Sequence, residues 1–268
     1  MTDTWNPTQY DKFQREREQP FFDLLALVRR APGMRAVDLG CGTGRLTRAL
    51  HEQLHARETT GIDRSARMLV GVDPQVRPHS EPTLGLQFEI GTIEEFPGAR
   101  GAFDLIFSNA AYHWIEDHPA LLARLAGALT PSGQLAFQIP AQHDQPSHRI
   151  AEDLTGVEPF RTGLDGWHRP QPVLEPHEYA SLLYALGFPA PVVRLHIYPH
   201  VLAGPEEVVE WMKGTLLTEY ERHLPGDLYG PFVEAYRARM LRHLGNARPF
   251  FFPFRRILCW GQRAGIRD

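Results

Sequence analysis

The chain has 268 residues and a formal net charge of -4, with 43% hydrophobic and 22% charged residues. That profile fits one sizeable fold and excludes disorder, a coiled coil and a surface built to track a phosphate backbone. Two widely separated cysteines, Cys41 and Cys259, exclude a disulfide framework and cysteine-held zinc.

No run approaches the roughly 18 apolar residues of a membrane span, and the opening Met1 to Trp5 lacks a secretory pattern. The expectation is a reduced cytoplasmic setting, with no membrane and no nucleic acid partner.

In chain order, residues 36–39 form a short apolar run before glycines and predict a buried strand. Residues 45–55 predict a helix, with Leu46, Leu50 and Leu54 on one face. Residues 59–63 and 86–90 predict two more strands, separated by a loop rich in turn formers (Pro74, Pro78, Pro82, Gly85). A fourth strand is expected at 103–108, a helix at 119–129, a turn at 131–133 and a fifth strand at 134–139. Strands alternating with helices imply a mostly parallel sheet covered on both faces. Residues 141–175 are rich in His, Pro, Asp and Gly and show little periodicity. A helix at 176–186 and a sixth strand at 192–198 follow. Residues 205–245 read as two helices parted at Pro225-Gly226, and 256–262 as the last strand.

The most informative stretch is Asp38-Leu39-Gly40-Cys41-Gly42-Thr43-Gly44. Glycines here permit positive φ and close approach of backbone to a ligand. The helix start that follows offers open N–H groups. A dinucleotide site spaces its third glycine one position later, and here Arg45 fills the slot that wants a small residue. No Lys-Ser/Thr follows, which excludes a P-loop. Asp63 ends the second strand about 20 residues on, where a carboxylate can accept both hydroxyls of a ribose. The loop therefore wants a nucleoside without a tight pyrophosphate cradle.

Those residues resemble the first motif of class I S-adenosylmethionine-dependent methyltransferases. The resemblance implies an α/β, Rossmann-like fold: a seven-stranded, mostly parallel sheet with an antiparallel last strand, plus helical cap insertions. It implies S-adenosylmethionine as cofactor and S-adenosylhomocysteine as product. Cofactor contacts then fall on Tyr10, Asp38, Gly40, Gly42, Gly44, Asp63, Met68, Thr92, Ile93 and Asn109. Thr92 stands where relatives carry an Asp beside the adenine.

Trp5-Asn6-Pro7, Tyr10, Phe13, the Asn109 to Trp114 segment, Gln138-Ile139-Pro140 and Pro146-Ser147-His148 are similar to the trans-aconitate methyltransferase group. Enzymes of that group esterify a carboxylate of a small tricarboxylic acid. The implied division is an N-terminal segment over the cofactor at 1–34 and a core at 35–140. Acceptor caps follow at 141–175 and 205–250, with 176–204 and 251–268 completing the sheet.

Trp211 to Glu219 departs from the group's pattern: Thr218 stands for an Arg and Glu219 for a Pro. A lost cation and a gained carboxylate would disfavour a polyanion. That keeps open O-, N- or C-methylation of a larger, less charged metabolite, a malonyl-carrier ester, and cofactor binding without turnover.

Acceptor residues are expected at Trp5, Tyr10, His113, Trp114, His148 and Trp211. His113 is the catalytic candidate; an alcohol, phenol or carbon acceptor would need a base, for which His113 or His148 are the candidates. Trp5 and Tyr10 have an alternative role as anchors of an N-terminal helix, and Trp211 as helix core. His143, Asp144 and His148 fall short of a metal set, having two imidazoles and one carboxylate in a loop. Arg255 and Arg256 are expected to snorkel at the surface. The partner is a small-molecule acceptor, and the chain is a monomer or homodimer.

Overall fold

The computed structural model describes residues 14–69, 83–96 and 98–265. Trp5, Asn6, Pro7, Tyr10, Phe13 and the loop prolines Pro74, Pro78 and Pro82 lie outside them.

Helix α1 (Gln14–Leu25) precedes β1 (Arg35–Leu39), α2 (Arg45–Leu54), β2 (Glu58–Asp63), a single turn α3 (Ala66–Leu69) and β3 (Leu86–Ile90). Strand β4 (Phe103–Asn109), α4 (His118–Ala128) and β5 (Leu129–Pro140) follow. The helix begins where it does because Asp117 accepts the Ala120 N–H at 2.9 Å and Pro119 needs no N–H partner. Seven strands form one sheet in the order β3-β2-β1-β4-β5-β7-β6, with β6 at Val192–Leu202 and β7 at Phe250–Gln262. Strand β1 pairs in parallel with β2 and β4, Val37 facing Thr60 on one side and Ile106 on the other. Strand β7 runs antiparallel to β5, with Phe137 opposite Cys259. The expected fold is therefore the observed one.

Central strands are buried on both faces, which is why consecutive residues are buried in them, Ala36 to Leu39 in β1 and Leu105 to Ser108 in β4, rather than alternate ones. Parallel pairing also brings the C-terminal ends of β1, β2 and β4 to one edge. Gly40, Asp63 and Asn109 stand there, the edge at which open α/β sheets take ligands.

The chain divides into two units. The core unit comprises Arg17–Pro140, Pro172–His196 and Arg256–Asp268, including α7 (Pro176–Ala185). The smaller unit contains Ala141–Gln171 and Ile197–Arg255. Its helices are α5 (Pro146–Thr155), α6 (Phe160–Leu164), α8 (Glu206–Lys213), α9 (Leu217–His223) and α10 (Gly226–Leu244). They pack through aromatic rings: Phe160 lies edge-on to Phe232 at 5.1 Å, and Tyr220 stacks on Phe232 at 4.7 Å. The Tyr236 hydroxyl donates to the Ser147 carbonyl at 3.1 Å.

The helical cap expected at 141–175 consists of the two helices α5 and α6. Two other expectations need correction. Residues 205–245 hold three helices, because Gly214 ends α8 eleven residues before the expected break. Residues 131–133 are a bulge within β5, not a turn ahead of it: Phe103 pairs with Leu129 and Leu105 already with Gln134. Among the described residues, no helix is long and apolar enough to cross a membrane.

Candidate functional site

The glycine turn is built by the end of β1. Gly40, Gly42 and Gly44 all have positive φ, at 78°, 57° and 69°. At Gly40 glycine is required on a second ground, because a Cβ would lie 2.3 Å from the Ala111 Cβ. The turn is then pinned from β2: Gly40 and Cys41 donate to the Ile62 carbonyl at 2.8 and 3.0 Å. Gly42 N–H donates to one Asp63 carboxylate oxygen at 2.8 Å, and Ser65 N–H to the other at 2.9 Å. Two of the carboxylate's roughly four lone-pair directions are thereby used, leaving acceptor capacity for a ribose diol. Helix α2 starts at Arg45 with no side-chain cap, so its first-turn N–H groups favour an electron-rich partner. Arg45 itself is ion-paired with Glu18.

Asp38 lies beneath the turn, 3% exposed, and accepts the Thr47 hydroxyl at 2.6 Å. Burial pushes its carboxyl up to about 7; Thr47 opposes the shift and the nearby Asp63 charge adds to it. Met68 flanks the turn, its methyl 3.6 Å from where a Gly42 Cβ would stand. Ile93 comes equally near the Gly40 position, at 3.6 Å. Thr92 differs from expectation: its hydroxyl donates to Glu95 at 3.0 Å and accepts the Glu95 N–H at 3.1 Å. It caps a local turn instead of offering a free hydroxyl. A half-exposed turn with three left-handed glycines, an open helix start and a carboxylate with spare lone pairs fits an adenosyl cofactor.

Beyond β4, Ala110 takes φ 56°, and a short 3-10 turn, Tyr112–Trp114, follows. His113 and Trp114 are half-buried there, their rings 4.5 Å apart. Asn109 is oriented by a chain that the sequence did not reveal. Arg256 Nη1 donates to Gln138 Oε1 at 3.0 Å, and Gln138 Nε2 donates to Asn109 Oδ1 at 2.7 Å. The Asn109 carbonyl is thus occupied and its NH2 group is aimed by three strands. Arg256 is only 3% exposed, which corrects its expected surface position.

The smaller unit holds the remaining expected residues. His148 is half-buried; desolvation first, then the charges of Arg169 and His143, lower its pKa to about 3 against the pull of Asp144. Partial burial would raise Asp144, but hydrogen bonds from Gln145 and Arg255 and the Arg255 charge outweigh it and hold it at about 2. Arg255 Nη1 reaches both Asp144 oxygens at 2.7 Å, so this arginine is committed rather than snorkelling. Trp211 is 2% exposed, with its ring 5.0 Å from His200 and 5.3 Å from Phe254. It packs as helix core, which leaves little of it to line a pocket. Glu219, expected as a bare negative charge, is ion-paired with Arg222. Sequence reasoning missed Arg169 altogether, because nothing in its spacing marks it.

A family model described as a methyltransferase domain matches residues 37–137. Over 261 residues the chain is 41% identical to the trans-aconitate 2-methyltransferase of Deinococcus radiodurans, covering 95% of this chain and 96% of that one. It is 34% identical over 263 residues to the protein of the same name from Streptomyces avermitilis, with 96% of each chain covered. Among solved structures, YcgJ of Bacillus subtilis superposes with a TM-score of 0.60 at 17% identity, covering 92% of this chain and 98% of that one. Haemonchus contortus phosphoethanolamine N-methyltransferase 2, in complex with S-adenosylhomocysteine, gives 0.56 at 17% identity, covering 92% and 52%. At those identities the structural likeness speaks for the fold.

Proposed function

Since the chain belongs to the trans-aconitate 2-methyltransferase family, we propose that it methylates one carboxylate of a small tricarboxylic acid of the trans-aconitate class, giving a monomethyl ester. The chain is a methyltransferase whose methyl donor is S-adenosylmethionine.

When bound, the donor supplies a methyl carbon on a positively charged sulfur, which an acceptor oxygen takes in line while the C–S electron pair stays on sulfur. Everything else falls to this chain's residues. Asp63 and the glycine turn would hold the adenosyl group, with Met68 and Ile93 beside them. Asn109, aimed through Gln138 and Arg256, would donate from its NH2 group. His113 and Trp114 are assigned to the acceptor, as are residues 141–175 and 205–250. Residues 1–34 are assigned to covering the cofactor.

The observation that carries the acceptor class is the 41% identity to a trans-aconitate 2-methyltransferase over 95% of this chain. A carboxylate is already ionised and needs no base; orientation and exclusion of water suffice. His148 would serve poorly as a base, because desolvation and the charges of Arg169 and His143 lower its pKa to about 3. The free thiols of Cys41 and Cys259 support a reduced, cytoplasmic setting, where we take the protein to act as a monomer or homodimer.

Mass spectrometry after incubation with S-adenosylmethionine and trans-aconitate tests the proposal. The expected product carries one added methyl group, which mild base removes as methanol. A base-stable product, or methylation of a neutral acceptor in preference to the acid, would overturn it.

A further inference from the structure

Arg169 follows α6 in the smaller unit, and its two predecessors fix the backbone there. Trp167 stacks on His223 with ring centroids 3.9 Å apart and planes 11° from parallel, and meets Tyr220 edge-on at 5.5 Å. His168 Nδ1 lies 3.1 Å from a Glu152 carboxylate oxygen. Arg169 is therefore held on a rigid segment, yet its Nε is sealed from solvent with no hydrogen-bond partner. Among the described residues no carboxylate closes to ion-pair distance of it. The groups that act on it from neighbouring elements are Tyr220 first, then Glu219 and Glu152, and the two carboxylates are already engaged by Arg222 and His168. His148, half-buried nearby, has its pKa lowered and adds no positive charge.

We infer that the Arg169 guanidinium is the acceptor's anchor, binding a carboxylate of the substrate other than the one that is methylated. A half-buried arginine left unpaired is unfavourable in the empty protein and becomes satisfied when an anion arrives. Its planar fork matches a carboxylate in two parallel hydrogen bonds. One cation flanked by Glu152 and Glu219 suits a singly charged carboxylate and repels a phosphate dianion. Pairing the reacting carboxylate would blunt its oxygen as a nucleophile, so the anchor belongs to a distal one. The inference rests on the carboxylate reading above and supplies the cation that Thr218 does not.

Three measurements on the full chain test it: calorimetry of trans-aconitate into protein saturated with S-adenosylhomocysteine, initial-rate kinetics, and thermal unfolding without acid. Arg169→Met is expected to weaken trans-aconitate binding and raise its KM about 30-fold or more, the scale of a lost bidentate charge pair. The donor's affinity stays unchanged and kcat stays within about threefold, as expected for binding lost equally from ground and transition states. Arg169→Lys recovers only part of the loss. The melting temperature of Arg169→Met equals or exceeds that of the parent, because no protein partner is lost. A KM within about twofold of the parent overturns the inference, since removing a binding contact must raise KM. So does a lower melting temperature, which would reveal a structural role. Arg169-dependent binding of trans-aconitate without methyl transfer would instead overturn the proposed function and leave the anchor standing. A parent protein that neither binds nor methylates trans-aconitate overturns both.

Discussion

Asp63 performs two tasks through one carboxylate. It fastens the glycine turn through Gly42 and Ser65, and in the proposed function its remaining lone pairs take the cofactor's hydroxyls. Asp63→Ala should weaken S-adenosylhomocysteine binding by roughly 1.5–3 kcal/mol, the scale of hydrogen bonds to a charged group. Calorimetry checks this, and unchanged affinity would remove Asp63 from the site. Asp38 answers differently. Its ordinary value is 3.8, and in the fold it stands at about 7. Between those values the folded protein keeps a proton that the unfolded chain has released. Stability from this group is therefore full below 3.8 and is lost as pH rises through 7. Asp38→Asn should remove that part of the pH slope, seen by comparing denaturant unfolding of the two proteins from acid to neutral pH. Asp144 has the opposite sign, and its loss of stability falls lower, as pH drops toward 2. At this scale the sequence was legible where a motif fixes backbone: Asp38, the three glycines and Asp63. It was illegible where a partner decides. Thr92 lost its free hydroxyl to Glu95, Glu219 its bare charge to Arg222, and Arg256 its surface position to Gln138.

The elements of the core unit were readable because their burial follows a simple period. Helix α2 shows its inward face as Leu50 and Leu54, and β4 carries the apolar triplet Leu105 to Phe107 at its centre. Helix α5 was hidden because it buries Ser147, Ala151, Leu154 and Thr155, mostly small or polar residues that form no apolar stripe. The early end of α8 was hidden because Gly214 sits between two apolar stretches that read as one helix. Strand β7 alternates until Phe254 and is then buried on both faces, which is why the Arg255-Arg256 pair misled. Trp211 on α8 is the element-scale test of core against pocket. With Trp211 packed on His200, Phe252 and Phe254, Trp211→Ala should destabilise by about 3–5 kcal/mol, as large aromatic truncations in cores do. Denaturant unfolding measures it. A near-neutral stability change with a large rise in acceptor KM would show that the ring faces substrate.

For the molecule as a whole, the formal charge of -4 bears little on function, since charges that matter are either paired or placed. The core unit supplies a donor site that needs geometry more than charge: a turn, a helix start and one carboxylate. The smaller unit supplies committed pairs, Asp144 with Arg255 and Glu219 with Arg222, and an Arg169 whose buried Nε has no hydrogen-bond partner among the described residues. That division explains why the methyltransferase reading was carried by sequence while the acceptor was not. Glycines announce a turn by their spacing, whereas an anion site is announced only by which arginine lacks a partner. The most direct test of the account is the ratio of kcat/KM for trans-aconitate to that for a monocarboxylate of similar length, both with S-adenosylmethionine. The account predicts a strong preference for the tricarboxylate, about 100-fold or more, on the scale of one desolvated charge pair. Equal rates, or a preference for the less charged acid, would contradict it.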